Sequence, residues 1–340
     1  MTLDGKKFII KRNSDRMILI ISTSGQEWTT EVVMDWIYNL GGKVMRINGS
    51  SIYNQNENIL FDINKGVVKL TENTILDIES INVVWYRRFG NILPFTFTSL
   101  DHVQNTFLLR EDALRERNHL KDYFFHLLKD KKWFPVPSEY ETNKLVNIKI
   151  AEDLGFEVAD TIVTNDKEEA LLFIKKHNGT CITKPISYSF YYHDMESSAY
   201  SMYTEKITSF DIESLDSNFA PTLFQELVEK KFEIRVFIID DIINAVAKFT
   251  LNESESQIDL KQFKGQVPCV RYKLPQKVIE KIRTLMFEIG LSTGSMDLIK
   301  TESGYLFLEV NPVGQFGYES FYSNENWEKL VAKKLIQLDL

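Results

Sequence analysis

The stretch SMDLIKTESGYLFLEVNP at 295–312 constrains this chain more than any other. Two short apolar runs flank a polar turn, the pattern of a buried β-hairpin, yet Asp297 stands in one run and Glu309 and Asn311 in the other. With Glu302-Ser303-Gly304 as a three-residue loop, and Gly304 supplying the positive φ such loops need, Thr301 faces Tyr305 and Asp297 lies opposite Glu309. Opposed side chains have Cβ atoms roughly 4.5–5.5 Å apart. Alternation then places Glu309 and Asn311 on one face and sends Leu306, Leu308 and Val310 the other way, into a core. Two carboxylates held that close repel, so either one takes up a proton or a cation neutralises both. Oxygen-only ligands suit Mg²⁺, which completes its shell with water and nucleotide phosphates. The alternative is a solvated hairpin face carrying unrelated acids.

At 340 residues and 44% hydrophobic, the chain has material for two or three domains with their own cores. Its two cysteines, Cys181 and Cys269, are too few and too isolated for a disulfide framework or a zinc site. No apolar run approaches the roughly 20 residues that cross a bilayer, and the first residues lack the apolar region of a signal peptide. These features lead us to expect a cytoplasmic protein with no membrane partner. The net charge of −8 argues against nucleic acid as a partner. The first strong strand follows Met17 at once, which leaves residues 1–16 as an arm, an extended start or a remnant.

MILIIST (17–23) reads as a buried strand, and Val33, Trp36, Ile37 and Leu40 then recur at helical spacing until Gly41-Gly42. KVMRI and INVVWYRR supply further strands. This βαβ-type opening lacks G-x-G-x-x-G, so no dinucleotide fingerprint is present. A long polar helix is expected from about Asp101 to Lys129, with Leu120, Phe124, Leu127 and Leu128 on one face, and the prolines of KKWFPVPSEY mark a boundary after it. NESESQ (252–257) is short enough for a surface loop. The segment 186–207 alternates aromatic and polar residues around a turn, as a hairpin lid over a ligand or a clamp for a peptide would.

The middle of the chain carries a second polar set. NKLVNIKIAEDLGF predicts a helix capped near Asn143 and closed by Gly155, with Lys144 in its first turn, where a cation opposes the helix dipole. In CITKPI, Lys184 interrupts an apolar strand and Pro185 ends its regular pairing. From 221 to 249 a strand, a turn and a hairpin carry Glu226, Glu233, Arg235 and Lys248, and alternation puts Arg235 on one face with Glu233 and Phe237.

The lysines of NKL and TKP, FQELV followed by EIRVF, then MDLI and LEVNPVGQF, in that order, resemble the ATP-grasp ligases. VVWYRR, TNKL with its LGF, and MDLI with FLEVNPVGQF look most like the graspetide-forming peptide maturases, the microviridin-type and grasp-with-spasm ligases, over nearly everything from Met17 onward. The resemblance implies an α/β (α+β) multidomain ATP-grasp fold: an N-terminal α/β pre-grasp domain at 17–120, a central subdomain at 121–225 and a C-terminal one at 226–340. It implies Lys144 and Lys184 on the phosphates of ATP, Glu226 and Val228 at the adenine edge, and Glu233 towards the ribose. Asp297, Glu309 and Asn311 would hold Mg²⁺, with two ions expected, and Arg235 would face the transferred phosphoryl group. Arg87, Arg88, Lys261 and Arg271 are candidate contacts to acidic side chains of a substrate. Where the family pattern has an arginine this chain has DLKQFKG, so Lys261 stands in for it, and the tail after NPVGQF also departs from the pattern.

The implied activity is ligation within a precursor peptide that binds through a leader segment. A Glu or Asp side chain is activated as an acyl phosphate and attacked by a Thr or Ser hydroxyl, giving an ester, or by a Lys amine, giving an amide. A homodimer is also expected. Two other readings compete: an ATP-grasp ligase acting on a small molecule or a protein terminus, and a nucleotide-binding module without turnover. The complete set of lysines and acids speaks against the last.

Overall fold

A computed structural model describes residues 16–23, 27–53, 58–71, 74–90, 106–140, 142–187, 191–193, 199–201, 204–215, 218–249 and 267–340. The chain divides into two compact units, Met1–Pro137 with Asn326–Leu340, and Ser138–Glu325.

The first unit begins with β1 (Met17–Ser22), α1 (Trp28–Asn39) and β2 (Val44–Asn48). A small antiparallel sheet of β3 (Leu60–Asp62), β4 (Val67–Thr71) and β5 (Thr74–Leu76) follows, then β6 (Ile81–Tyr86), α2 (Thr106–Leu127) and β7 (Lys132–Phe134). β1 is apolar along its length because both its faces are covered, and Ile18 to Ile21 have no exposure. Pairing is parallel through the order β2-β1-β6-β7, so the βαβ opening read from the sequence is present. α2 buries Phe124, with Leu128 beyond its end and Leu120 and Leu127 packed alongside; the expected start at 101–105 lies outside the described residues.

This unit runs past the expected boundary at 120, which falls inside α2. β7 pairs with β6, and the C-terminal helix Trp327–Asp339 packs on α1. Arg16 Nη1 and Asn82 Nδ2 both donate to the Asp339 carbonyl at 3.0 Å. The unit boundary at Pro137 lies in the stretch whose prolines pointed to one.

The second unit opens with α3 (Lys144–Asp153), β8 (Glu157–Val158), β9 (Thr161–Asp166), α4 (Lys167–Lys176) and β10 (Thr180–Thr183). β11 (Tyr191–His193) and β12 (Ala199–Ser201) pair antiparallel, as expected for a hairpin in 186–207, whose turn lies outside the described residues. β13 (Glu205–Thr208), α5 (Ser209–Glu213) and β14 (Asn218–Glu226) complete an antiparallel sheet in the order β13-β10-β14-β9, cored by Phe173, Ile174, Cys181, Ile212 and Phe224.

β15 (Phe232–Ile239), β16 (Ile242–Lys248), β17 (Cys269–Tyr272), α6 (Gln276–Glu288), β18 (Thr293–Lys300), β19 (Tyr305–Asn311) and α7 (Gly317–Ser323) form the rest. Their sheet has the order β17-β16-β15-β18-β19-β8 and is antiparallel except where β8 lies parallel to β19. One face buries Ile234, Val236, Ile238, Met296, Leu298, Phe307 and Val310 against Ile282, Leu285 and Met286 of α6, whose spacing makes one helical stripe. α3 is capped as expected: Asn143 accepts from the backbone N–H groups of Leu145 and Val146, and Gly155 takes φ +76° past its end. α3 and β8 precede the expected boundary at 225/226 yet pack on the sheet built after it. Among the described residues no helix is long and apolar enough to cross a membrane. Residues 252–257 lie outside those described, as does Lys261.

Candidate functional site

Residues paired across neighbouring strands stand side by side on one face, so register fixes what meets what. Val246, Arg235, Asp297 and Glu309 form one row across β16, β15, β18 and β19. The row on one side holds Lys248, Glu233 and Ile299; the row on the other holds Phe237, Ser295 and Asn311. This is the face opposite the α6 core, and it gathers the charges.

The hairpin reaches the expected pairing of Asp297 with Glu309 by a different path. Lys300 pairs with Tyr305, so the loop is Thr301–Gly304, one residue longer than the sequence suggested. The register then shifts between Asp297 and Leu298, leaving Leu308 as an extra residue on β19, a β-bulge. Two consequences correct the sequence reading. Gly304 does not take a positive φ; a Cβ there would lie 3.1 Å from Glu157 Oε1, the end of an exposed side chain, so the backbone conformation does not demand glycine. Leu306 and Leu308 do not join the core with Val310. They cluster instead with Ala159, Ile299 and Val228, on the same face as Glu309.

The charged groups satisfy one another. Arg235 Nη1 donates to Asp297 Oδ2 at 2.6 Å, and its Nε lies 3.5 Å from Glu319 Oε1. Lys248 Nζ is 3.5 Å from Glu319, 3.7 Å from Glu233 and 4.0 Å from Asp297. Lys230 donates to Glu233 at 2.6 Å, and Lys144 Nζ lies 3.2 Å from Glu309 Oε2. Lys144 arrives because α3 packs on β19. Burial raises the Asp297 carboxyl above the ordinary range, Arg235 and Lys248 pull it back, and Glu309 and Glu233 add to the rise. Burial works against the charge on Arg235 and on Lys248, but the surrounding carboxylates, Asp297 foremost, outweigh it and hold both above their usual values.

The other expected residues are more scattered. Lys184 sits just past the last residue of β10 rather than within the strand, half-buried. Glu226 ends β14 and accepts from the Asp160 N–H at 3.3 Å, and Val228 lies in the link to β15. Arg271, on edge strand β17, is mostly exposed and makes two contacts with Glu325. In the first unit Arg87 is buried, with its Nε 3.7 Å from Glu27 Oε2, whereas Arg88 is a third exposed and its Nε lies 2.9 Å from Glu27 Oε1. The sequence reading missed Glu319 and Lys230, and it noted Lys248 without giving it a role. Lys248 had a signal, a lysine closing the apolar run IINAVA; Glu319 lies in the tail where the family pattern gave no guide.

Residues 17–140 match the MvdD pre-ATP grasp domain family. No curated protein matches the chain. The solved structure of macrocyclase MdnC bound with precursor peptide MdnA, from Microcystis aeruginosa MRC, has a TM-score of 0.78 at 22% identity, covering 94% of this chain and 99% of that one. A RiPP-associated ATP-grasp ligase of Chryseobacterium gregarium, in complex with ADP and a leader and core peptide, has a TM-score of 0.80 at 25% identity, covering 95% and 97%. The ATP-grasp ligase PsnB complexed with a minimal precursor has 0.71 at 18%, covering 96% and 100%. Over nearly its whole length the chain has the fold of these ATP-grasp ligases. The solved structures it is similar to include RiPP-associated ligases and macrocyclases, and its residues 17–140 match the MvdD pre-ATP grasp domain.

Proposed function

We propose that the chain is a cytoplasmic, ATP-dependent ligase that macrocyclises a ribosomally made precursor peptide bound through its leader. A Glu or Asp carboxylate of the peptide attacks the γ-phosphate of ATP, giving an acyl phosphate and ADP. A Thr or Ser hydroxyl or a Lys amine of the same peptide then attacks the acyl carbon, phosphate leaves, and an ester or amide closes the ring. Holding both groups on one enzyme replaces a bimolecular encounter by a local one.

The observation that carries this reading is Asp297 Oδ1, which is buried, accepts no hydrogen bond and has the Lys248 ammonium at 4.0 Å, on the row it shares with Glu309. A buried acceptor left without a donor is unfavourable by about 1–3 kcal/mol, and a divalent cation would satisfy it. Asn311 Oδ1 accepts from the Val313 N–H at 3.2 Å and retains a second lone pair. Asp297, Glu309 and Asn311 therefore fit a hard cation, and two Mg²⁺ ions held there would offset phosphate charge. Within the site Asp297, Glu309, Glu233 and Glu319 are matched by Arg235, Lys248, Lys144 and Lys230. A phosphate chain entering that balanced set must bring its own cations.

Lys144, on leaving Glu309, and Lys184 bind the phosphates, and Arg235 faces the transferred group. Glu226 and the Val228 backbone read the adenine edge, with Leu306 and Leu308 as an apolar wall beside it. Glu233, fixed by Lys230 and Lys248, lies towards the ribose. Arg87, Arg88, Lys261 and Arg271 are proposed to meet acidic side chains of the peptide. The division into central and C-terminal grasp subdomains at 225/226 and a homodimeric assembly belong to the same proposal.

Incubation with a candidate precursor, ATP and Mg²⁺ should give one ADP per water lost, a ladder of masses on a single peptide, and ester links that mild base reopens. Mass gained from an added amine, or ADP formed with no change in the peptide, would overturn the macrocyclase reading.

A further inference from the structure

We infer that Glu319 is a positioning residue that takes over Arg235 when Asp297 is engaged by a cation. The inference rests on the reading of Asp297 as a metal ligand. Arg235 has two carboxylate neighbours of different origin. Asp297, at 2.6 Å from Nη1, belongs to the strand row that carries the proposed metal ligands. Glu319, at 3.5 Å from Nε, comes from α7. The segment between Asn311 and α7 is pinned to the site face of the sheet. The Gly314 N–H donates to the Asn311 carbonyl at 3.0 Å, Ser295 Oγ donates to the Gln315 carbonyl at 3.2 Å, and the Phe316 ring lies 4.7 Å from that of Phe237.

A carboxylate drawn to a divalent cation gives up much of its attraction for a neighbouring guanidinium. Arg235, whose side chain is 11% exposed, cannot recover that attraction from water. Glu319, itself 7% exposed and within 3.5 Å of both Arg235 and Lys248, supplies it from outside the metal row. Asp297 is thereby released to the metal while both cations stay aimed at the site. Glu319 touches neither nucleotide nor metal in this arrangement; it acts through Arg235 and Lys248.

Calorimetric titration of the full chain with ADP, with and without Mg²⁺, tests this in the wild type, Glu319→Gln and Glu319→Asp. In Glu319→Gln, metal-free ADP should bind at least as tightly as in the wild type, because an acid beside the phosphate-binding cations is gone. The strengthening of ADP binding by Mg²⁺ should fall roughly tenfold, the scale of one charge-assisted hydrogen bond, because Asp297 must then stay with Arg235. Glu319→Asp keeps the charge but withdraws it from both cations, and should behave like Glu319→Gln. A Glu319→Asp variant matching the wild type would mean that charge alone matters, and would overturn the positioning role. So would an unchanged Mg²⁺ effect in Glu319→Gln, or an equal weakening of ADP binding with and without Mg²⁺ together with a lower melting temperature. If the wild type itself shows no strengthening by Mg²⁺, the metal reading of Asp297 fails first, and this inference with it.

Discussion

Asp297→Asn keeps the size of the side chain and removes one charge. In the structure that charge faces Arg235 at 2.6 Å and Lys248 at 4.0 Å, with the Asp297 side chain 15% exposed. Removing one partner of a buried ion pair is unfavourable by roughly 3–5 kcal/mol, because the remaining charge stays out of water. Glu319 still neighbours Arg235, so the loss should fall at the lower end, about 3 kcal/mol. Domains are stable by roughly 5–15 kcal/mol, so the variant should fold and lose stability measurably. Urea unfolding followed by far-UV circular dichroism gives the size of the change, and hydrogen exchange should place it in β15 and β18. The tryptophans, at 28, 36, 85, 133 and 327, all lie in the first unit, so their fluorescence reports on the unit the substitution does not touch. With ADP and Mg²⁺ at about 100 times the dissociation constant, the wild type should gain about 2.7 kcal/mol, and the variant should lose the part of that gain that depends on Mg²⁺. A midpoint unchanged in urea and an undiminished Mg²⁺-dependent gain would refute both the buried-pair argument and the metal assignment.

Lys184→Met retains the apolar stem and removes the charge, and should weaken ATP binding roughly tenfold by calorimetry; unchanged affinity would return this lysine to a structural role. Lys144→Met and Glu309→Gln should be coupled in the ligand-free protein by on the order of 1 kcal/mol in a double-mutant cycle of urea stabilities, since their charges lie 3.2 Å apart, and additive effects would deny that contact any energy. Burial pushes the Cys181 thiol up to about 11, and burial with Glu319 nearby does the same for Cys269, so at pH 8 only about a thousandth of each is thiolate and both should react with a thiol reagent far faster after unfolding than before. The Lys176 ammonium, followed by His177, holds the Asp160 carboxyl below its ordinary value against the opposing effect of burial. That stabilisation is present above the unfolded pKa near ~3.9 and lost as pH falls through the lower folded value, so Asp160→Asn should be less stable than wild type by under about 1 kcal/mol at pH 7, with the urea curves converging in strong acid.

The sheet that carries the site was legible because its strands alternate cleanly. Ile234, Val236 and Ile238 alternate with Glu233, Arg235 and Phe237, which separates the apolar face from the one that carries the charges, and β15 and β18 keep that division. The hairpin was legible only in its result. A loop one residue longer than expected and a bulge at Leu308 offset each other, so Asp297 meets Glu309 while Leu306 and the bulged Leu308 turn to the opposite face from the one expected. Period-two reasoning has no term for an inserted residue, and nothing in YLFLEV marks Leu308 as one. The approach of Lys144 to Glu309 was hidden for a different reason: it depends on β8 adding to the far edge of β19, a parallel pairing between segments about 150 residues apart in sequence that no local pattern encodes.

Glu319 and Lys248 show what kind of residue such reading overlooks. Reading a pattern assigns a charged side chain to a ligand, as it assigns Arg235 to a phosphoryl group and Asp297 to a metal. Those groups are shielded from water and also lie against charges of the same protein. Their partners there come from the same fold: Arg235 from Asp297 and Glu319, Lys248 from Glu319 and Glu233, Glu309 from Lys144. The site carries more charged residues than the proposed reaction uses, and some of them hold the others in place. The surplus residues answer to the geometry of that charge network, which is why Glu319, on a short helix beyond the recognisable motif, becomes visible only once the strands and that helix are in place.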